Sequence, residues 1–226
     1  RQIWTLLAKI TIFSIFSLIH ISNAITPLIL TKGTNEGDGI DISSFDLSIN
    51  AEISILIYII TWFLLLARWK RLISVFSQNK LIWILMGVIC FSYFWSVNPE
   101  QTLRFSLYAL GTTSFGLYLA IRYTLRQQLS LFGWTYGLLL VLSILLAVAI
   151  PQYGIMGGVH EGALRGVFTH KNQYGAFMAL GGVVFFLNAV RGEKYSWIYW
   201  GLLVLGCASM VMSQSTTALA TFLVMV

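Results

Sequence analysis

An arginine, a histidine and a lysine fall within seven residues of one another in Gly162–Gly175, GALRGVFTHKNQYG, with apolar stretches on both sides. A guanidinium grips phosphate oxygens in a bidentate fork and an ammonium adds a point charge, so Arg165 and Lys171 read as binding groups for an anionic substrate. Thr169 or Asn172 can cap a helix that begins here, turning its first N–H groups toward the same anion. Gly162, Gly166 and Gly175 permit close approach of backbone to a ligand. Proton transfer needs a group that titrates near neutrality, and His170 is the candidate catalytic base. Orienting Arg165 and capping the helix are its other readings. For the stretch as a whole the alternative is a set of solvated cations at a membrane edge.

Two further segments carry polar groups at comparable places. In Trp95–Arg104, WSVNPEQTLR, Pro99 ends one helix and opens the next, and Glu100 falls in the first turn, where the helix dipole favours an acid. Arg104 follows as a substrate-binding candidate or as a snorkelling cation beside an interfacial Trp. In Ser213–Ala220, SQSTTALA, the hydroxyls, Ser215 among them, can bond sugar or phosphate, or can cap and back-bond to their own helix. Arg104, Arg165 and Lys171 together suit an anionic, lipid-linked diphosphate. His160 and His20 read as structural, His20 at a helix end. No metal-binding, Ser-His-Asp, phosphate-loop or cysteine-cluster pattern occurs, and neither a metal nor a cofactor is expected.

The elements that would position these residues are greasy. Of 226 residues, 58% are hydrophobic and 10% charged, whereas soluble domains carry roughly 25% charged residues. An all-α, polytopic bundle in the lipid bilayer is expected, one integral membrane domain over 1–226 with 150–172 as its motif loop. Apolar runs near 3–24, 51–67, 81–96, 104–121, 129–149, 173–190, 197–212 and 217–226 give about eight spans. Lys9, ITIFSIFSLI and Ser22-Asn23-Ala24 also fit a secretory signal with its cleavage site. Cys90 and Cys207 read as buried thiols. The chain opens without Met and stops within ALATFLVMV, so a piece of a longer protein is expected.

Orientation follows from the basic residues. With the N-terminus cytoplasmic, Arg1, Lys9, Arg68, Lys70, Arg71, Lys80, Arg122, Arg126, Arg191 and Lys194 lie inside, ten of the 14 Lys and Arg. Every acid except Glu193 then lies outside, including Glu36, Asp38, Asp41 and Asp46 of a polar loop that lacks the full calcium-loop pattern. The net charge of +6 is thereby a topology signal, and no clustered patch suggests nucleic acid.

W-S-x-N-P-x-x-T-L-R, R-G-x-F-x-H-K-N-x-x-G and S-x-S-x-T-A-L, in this order over residues 95–220, resemble the O-antigen ligase and polymerase superfamily, the H-K-N form being most similar to its exopolysaccharide polymerases. The resemblance implies a bacterial inner-membrane glycosyltransferase of the GT-C-like, lipid-phosphate-dependent kind, active at the periplasmic face. It implies transfer of glycan from an undecaprenyl diphosphate carrier to the hydroxyl of an acceptor glycan or glycolipid. By motif match Arg165 holds the diphosphate. The family's candidate base is a His in a large later loop, which would follow Val226. Thr216 and Thr217 stand where many ligases carry Arg, which favours a polymerase over a ligase joining glycan to lipid A core. An anion transporter, for inorganic carbon, is the alternative of another class; it predicts ionisable groups at mid-membrane, and the charges here cluster at span ends.

Overall fold

A computed structural model of the protein describes residues 2–34, 46, 48–78, 80–192 and 195–225. Among them the chain is all-helical, with no strand and an isolated antiparallel bridge between Ile155 and Leu164. The helices are α1 (Gln2–Ile21), α2 (Thr26–Leu30), α3 (Ser48–Leu66), α4 (Trp69–Gln78), α5 (Lys80–Phe91), α6 (Pro99–Arg122), α7 (Leu125–Ala149), α8 (Pro151–Gly154), α9 (Lys171–Val190), α10 (Ser196–Met212) and α11 (Thr216–Met225). Short 3-10 turns follow α5 at Ser92–Trp95 and precede the motif loop's return at Gly158–His160.

Among the described residues three helices, α3, α7 and α9, are long and apolar enough to cross a bilayer. The segments Trp69–Val75 and Lys80–Trp95 would make a fourth crossing if taken as one, but they meet at 91°. The remaining expected spans are shorter apolar helices, Ala8–Ile21, α10 and α11. α6 has the length, at 24 residues, yet Glu100, Arg104 and the run Thr112-Thr113-Ser114 lower its hydropathy. On the long helices Leu56, Phe63, Leu145 and Val148 are mostly exposed. Side chains of that size left uncovered in such number mark a protein whose surroundings are apolar. Cys90 is exposed and Cys207 half-buried, so the expectation of two buried thiols fails for Cys90, whose helix turns that face outward.

The chain forms two compact units, residues 1–50 with 126–226, and residues 51–125. In the first, α9 packs against α10 and α11 around Leu140, Phe168, Tyr174, Met178, Phe185 and Met210, all fully enclosed. Small residues allow this closeness. A Cβ added at Gly182 would lie 2.6 Å from the Phe222 ring of α11, and one at Gly181 3.2 Å from Tyr136 of α7. Asn188 of α9 donates from Nδ2 to the Leu129 carbonyl of α7 at 2.9 Å, a polar tie of the kind that fixes neighbouring apolar helices. In the second unit Gly111 of α6 receives the Tyr58 ring of α3, and Ser106 Oγ donates to the Ile89 carbonyl of α5 at 3.0 Å.

The segment that resembles a signal cleavage site is integrated with the first unit. Ala24 is buried, the Ile25 N–H donates to the Val167 carbonyl at 2.7 Å, and Gln173 Nε2 donates to the Ser22 carbonyl at 3.1 Å. Glu36, Asp38 and Asp41 of the acidic loop, with Glu193 and Lys194, lie outside the described residues. Asp46 caps the start of α3, its Oδ1 accepting from the Ser48 N–H at 2.8 Å. That bond holds its carboxyl below the usual aspartate value.

Candidate functional site

Three turns meet at one end of the first unit: residues 22–33, the loop 150–170 and the turn 213–215. The loop closes on itself. Met156 N donates to Ala163 O at 2.8 Å, and Gly162 N to Met156 O at 3.0 Å. Arg165 N and Gly166 N both donate to Gly154 O, at 3.0 and 2.9 Å. The third turn joins through Leu164 N, which donates to Met212 O at 3.0 Å. Phe168 plugs the base of the loop, stacking on Phe177 at 5.0 Å between ring centroids.

Arg165 sits within this knot and is 2% exposed. Its Nε donates to Tyr153 O at 2.9 Å and one terminal nitrogen to Gln152 O at 2.8 Å. Both carbonyls belong to the single turn α8, so the guanidinium closes that turn's C-terminal end, where cations are favoured. Gly33 covers the same group: a Cβ there would lie 3.0 Å from the guanidinium and 3.1 Å from Gln152 O. Sequence reasoning missed Gln152, Tyr153 and Gly33, because backbone carbonyls and a distant glycine carry no side-chain signature.

His170 is the N-cap of α9. Its Nδ1 accepts from the Asn172 N–H at 3.1 Å, which leaves the ring proton on Nε2. Of the three residues that could cap this helix, His170 does so; Thr169 Oγ1 donates to Gln173 Oε1 at 3.3 Å, and Asn172 supplies the capped N–H. His160 lies against His170, ring centroids 5.6 Å apart and nearly perpendicular. Lys171 begins the helix, its N–H directed at the Met156 sulfur at 3.3 Å.

The glycines expected to admit a ligand admit protein. Gly166 has φ +58, and a Cβ there would overlap the Ser143 side chain of α7, whose Oγ accepts from Val167 N at 3.2 Å. At Gly175 a Cβ would meet Ser215 and Ala218 at 2.8 and 2.9 Å. Gly162 alone of the three, at φ +82, faces open space.

Asn172 and Ser215 share a cavity of 400 Å³ between α9 and α11. Its polar wall adds Thr217 and Thr221, and its apolar wall is Ala176, Ala179, Leu180, Ala218 and Met225. Ser213, by contrast, turns its Oγ back to the Met210 carbonyl at 2.7 Å. His20 is the expected helix-end residue, donating from Nε2 to the Asn50 carbonyl at 3.2 Å.

Arg104 belongs to the second unit. It is exposed, with its guanidinium 5.9 Å from the Tyr108 ring centroid. The segment before it is a capped helix start: Asn98 accepts from Gln101 N at 3.3 Å, Pro99 opens α6 and Glu100 follows.

No protein-family model, curated protein or solved structure matches this chain. Among the described residues, fold and site define an all-helical protein with three or four candidate membrane-crossing helices, in which a buried arginine organises a polar loop beside a largely apolar cavity with a polar edge.

Proposed function

We propose that this chain is the membrane part of a cell-surface polysaccharide polymerase of GT-C-like architecture. It transfers glycan from an undecaprenyl diphosphate carrier to an acceptor sugar hydroxyl at the periplasmic face of the bacterial inner membrane. In this reading about eight helices cross the bilayer, the shorter ones with help from neighbours, and the N-terminus is cytoplasmic. The observation that carries the reading is the cavity between α9 and α11. Asn172, Ser215 and Thr217 offer hydrogen bonds on one wall and aliphatic side chains line the other. A polar headgroup on a greasy tail needs both.

The chemistry is one of charge. Breaking the bond between the sugar carbon and the phosphate oxygen leaves its electron pair on the carrier's terminal phosphate, which becomes a dianion, and fixed donors stabilise that added charge by about 2.7–4 kcal/mol each. Asn172 supplies a donor in the cavity wall, and Lys171, its neighbour in the chain, adds a positive charge at the start of the same helix. Arg165, its fork on the α8 carbonyls, is a positioning residue that holds the loop carrying them. His170 can take the hydroxyl's proton only by giving up its cap.

Turnover of carrier-linked glycan in membranes holding the full-length protein tests the reading. Asn172→Leu and Thr217→Phe, at exposed positions, obstruct the cavity without touching the core. Each is expected to lower polymer yield about tenfold or more at unchanged protein level, by filling the cavity and removing one hydrogen-bonding group from its wall. Normal polymer from both variants overturns the assignment. Glycan moved to lipid A core without chain extension makes the protein a ligase, and a lost anion flux with intact polymer makes it a transporter.

A further inference from the structure

The second unit contains a helix that the glycan reading does not use. At about 100° per residue, α4 puts Trp69, Leu72 and Ile73 on one side and Lys70, Arg71, Ser74, Ser77 and Gln78 on the other. Leu72 is 9% exposed and anchors the helix, while Trp69 and Ile73 are each 55% exposed on the same apolar side. α4 starts three residues after the crossing helix α3 ends and lies at 91° to the apolar segment that follows it. If the apolar segment Lys80–Trp95 is the crossing that the sequence places at 81–96, a helix perpendicular to it and joined to the end of α3 lies in the plane of the bilayer surface. There the exposed half of its apolar side is covered by acyl chains.

Charge identifies which lipid. Residues 67–80 hold Arg68, Lys70, Arg71 and Lys80 and no acid. Arg68 donates to the Ile121 carbonyl at 3.4 Å, which brings the α6 terminus and its Arg122 to the same end of the unit. The acids of this unit, Glu52 and Glu100, sit in the first two turns of α3 and α6, at the opposite ends of helices whose C-termini meet here. A hollow of 380 Å³, lined by Ala67, Arg68, Trp69, Lys70 and Arg71, opens at the α3–α4 junction. Trp69 is the residue type that settles at headgroup depth.

The geometry points to α4 as an interfacial helix that binds anionic phospholipid, its apolar side in the acyl layer and Arg68, Lys70 and Arg71 around the phosphodiester headgroup. This inference needs a bilayer but not the glycan reading.

Full-length protein in nanodiscs of phosphatidylcholine with a minor share of phosphatidylglycerol tests it. In a background of Cys90→Ser and Cys207→Ser, a nitroxide on Ile73→Cys is expected to collide with oxygen in the acyl layer, and one on Ser74→Cys with a water-soluble nickel chelate. Preference for spin-labelled phosphatidylglycerol over phosphatidylcholine is expected to fall about fivefold for each charge removed in Lys70→Gln and Arg71→Gln. Both residues are exposed, so the fold is retained. An Ile73 label bathed in the nickel chelate overturns the proposal, as does a lipid preference unchanged in the double variant. Displacement of labelled lipid by inorganic phosphate beyond that by chloride at equal ionic strength assigns the hollow to a soluble anion instead.

Discussion

Arg165 combines two demands that separate cleanly by substitution. A buried guanidinium is tolerable only because carbonyls receive its protons, so Arg165→Met leaves Gln152 O and Tyr153 O without their donor in a closed site. The cost is expected to be about 2–4 kcal/mol, read as a lower unfolding temperature of the full chain in detergent and earlier proteolysis within 150–170. Arg165→Lys is expected to fall between wild type and Met, since one ammonium cannot reproduce the planar fork. If Arg165 acts through the loop, turnover per folded molecule survives in Arg165→Lys; if it grips diphosphate directly, turnover is lost at full occupancy of the fold. His170 admits a similar separation. An Asn carbonyl can accept the Asn172 N–H as the ring nitrogen does, so His170→Asn keeps the cap. His170→Ala loses about 1 kcal/mol and speeds hydrogen exchange at the Asn172 amide. Asp46 adds a pH dependence. Its carboxyl is held below the ordinary aspartate value by the Ser48 N–H, so its contribution to the start of α3 is complete above that ordinary value and is lost as pH falls through the depressed one. Exchange at the Ser48 amide is expected to rise over that acidic interval, and to be pH-insensitive there in Asp46→Ala.

At the scale of elements, the loop is held to α7 through one glycine. Gly166 needs a left-handed backbone and also abuts Ser143, so Gly166→Ala meets two penalties. The backbone penalty alone is about 1–2 kcal/mol. Ser143→Gly opens the space but also removes the acceptor of the Val167 N–H and places a Gly within α7, so the comparison is made in that background: Gly166→Ala is expected to cost less thermal stability there than in the wild-type chain, but still something. No cost in that background would make contact the whole story, and an undiminished cost would make φ the whole story. The sequence discloses such elements unevenly. Helices α3, α7 and α9 are legible because a long, predominantly apolar run has one physical solution. The capped start at Asn98–Glu100 is legible because Asn, Pro and Glu each suit one position there. The α9 cap was legible only as a choice among Thr169, His170 and Asn172, since all three side chains carry an acceptor that can reach the first free N–H groups, and the structure selects His170. The role of the glycines was not legible: backbone near a ligand and backbone near a side chain require the same residue. Asn172 and Ser215 were singled out on separate segments, and their common cavity arises from α9 packing on α11 across Gly175, a contact between residues 40 apart in sequence.

For the whole molecule, orientation is the property on which every functional reading depends. The first unit brings together three of the segments that charge bias assigns to the outer side, the 22–33 turn, the 150–170 loop and the 213–215 turn. Arg126 and Arg191, assigned inside, lie at its other end, where Asn188 meets Leu129. In the second unit Arg68 meets the end of α6, again uniting residues assigned to one side. The charge rule and the packing pattern independently place the same segments together at one end of each unit; which end is cytoplasmic rests on the charge rule alone. Two positions test it. Val159 is 82% exposed in the motif loop, and Ser77 is exposed on the polar side of α4. With Cys90 and Cys207 replaced by Ser, a Cys at Val159 is expected to react with an impermeant maleimide in intact spheroplasts. A Cys at Ser77 should react only after the membrane is opened. The reverse pattern would put the motif loop in the cytoplasm and would end the reading of a polymerase active at the periplasmic face. Labelling of both from outside would mean that α3 and α5 do not form a paired crossing, and α4 would then face the outer leaflet.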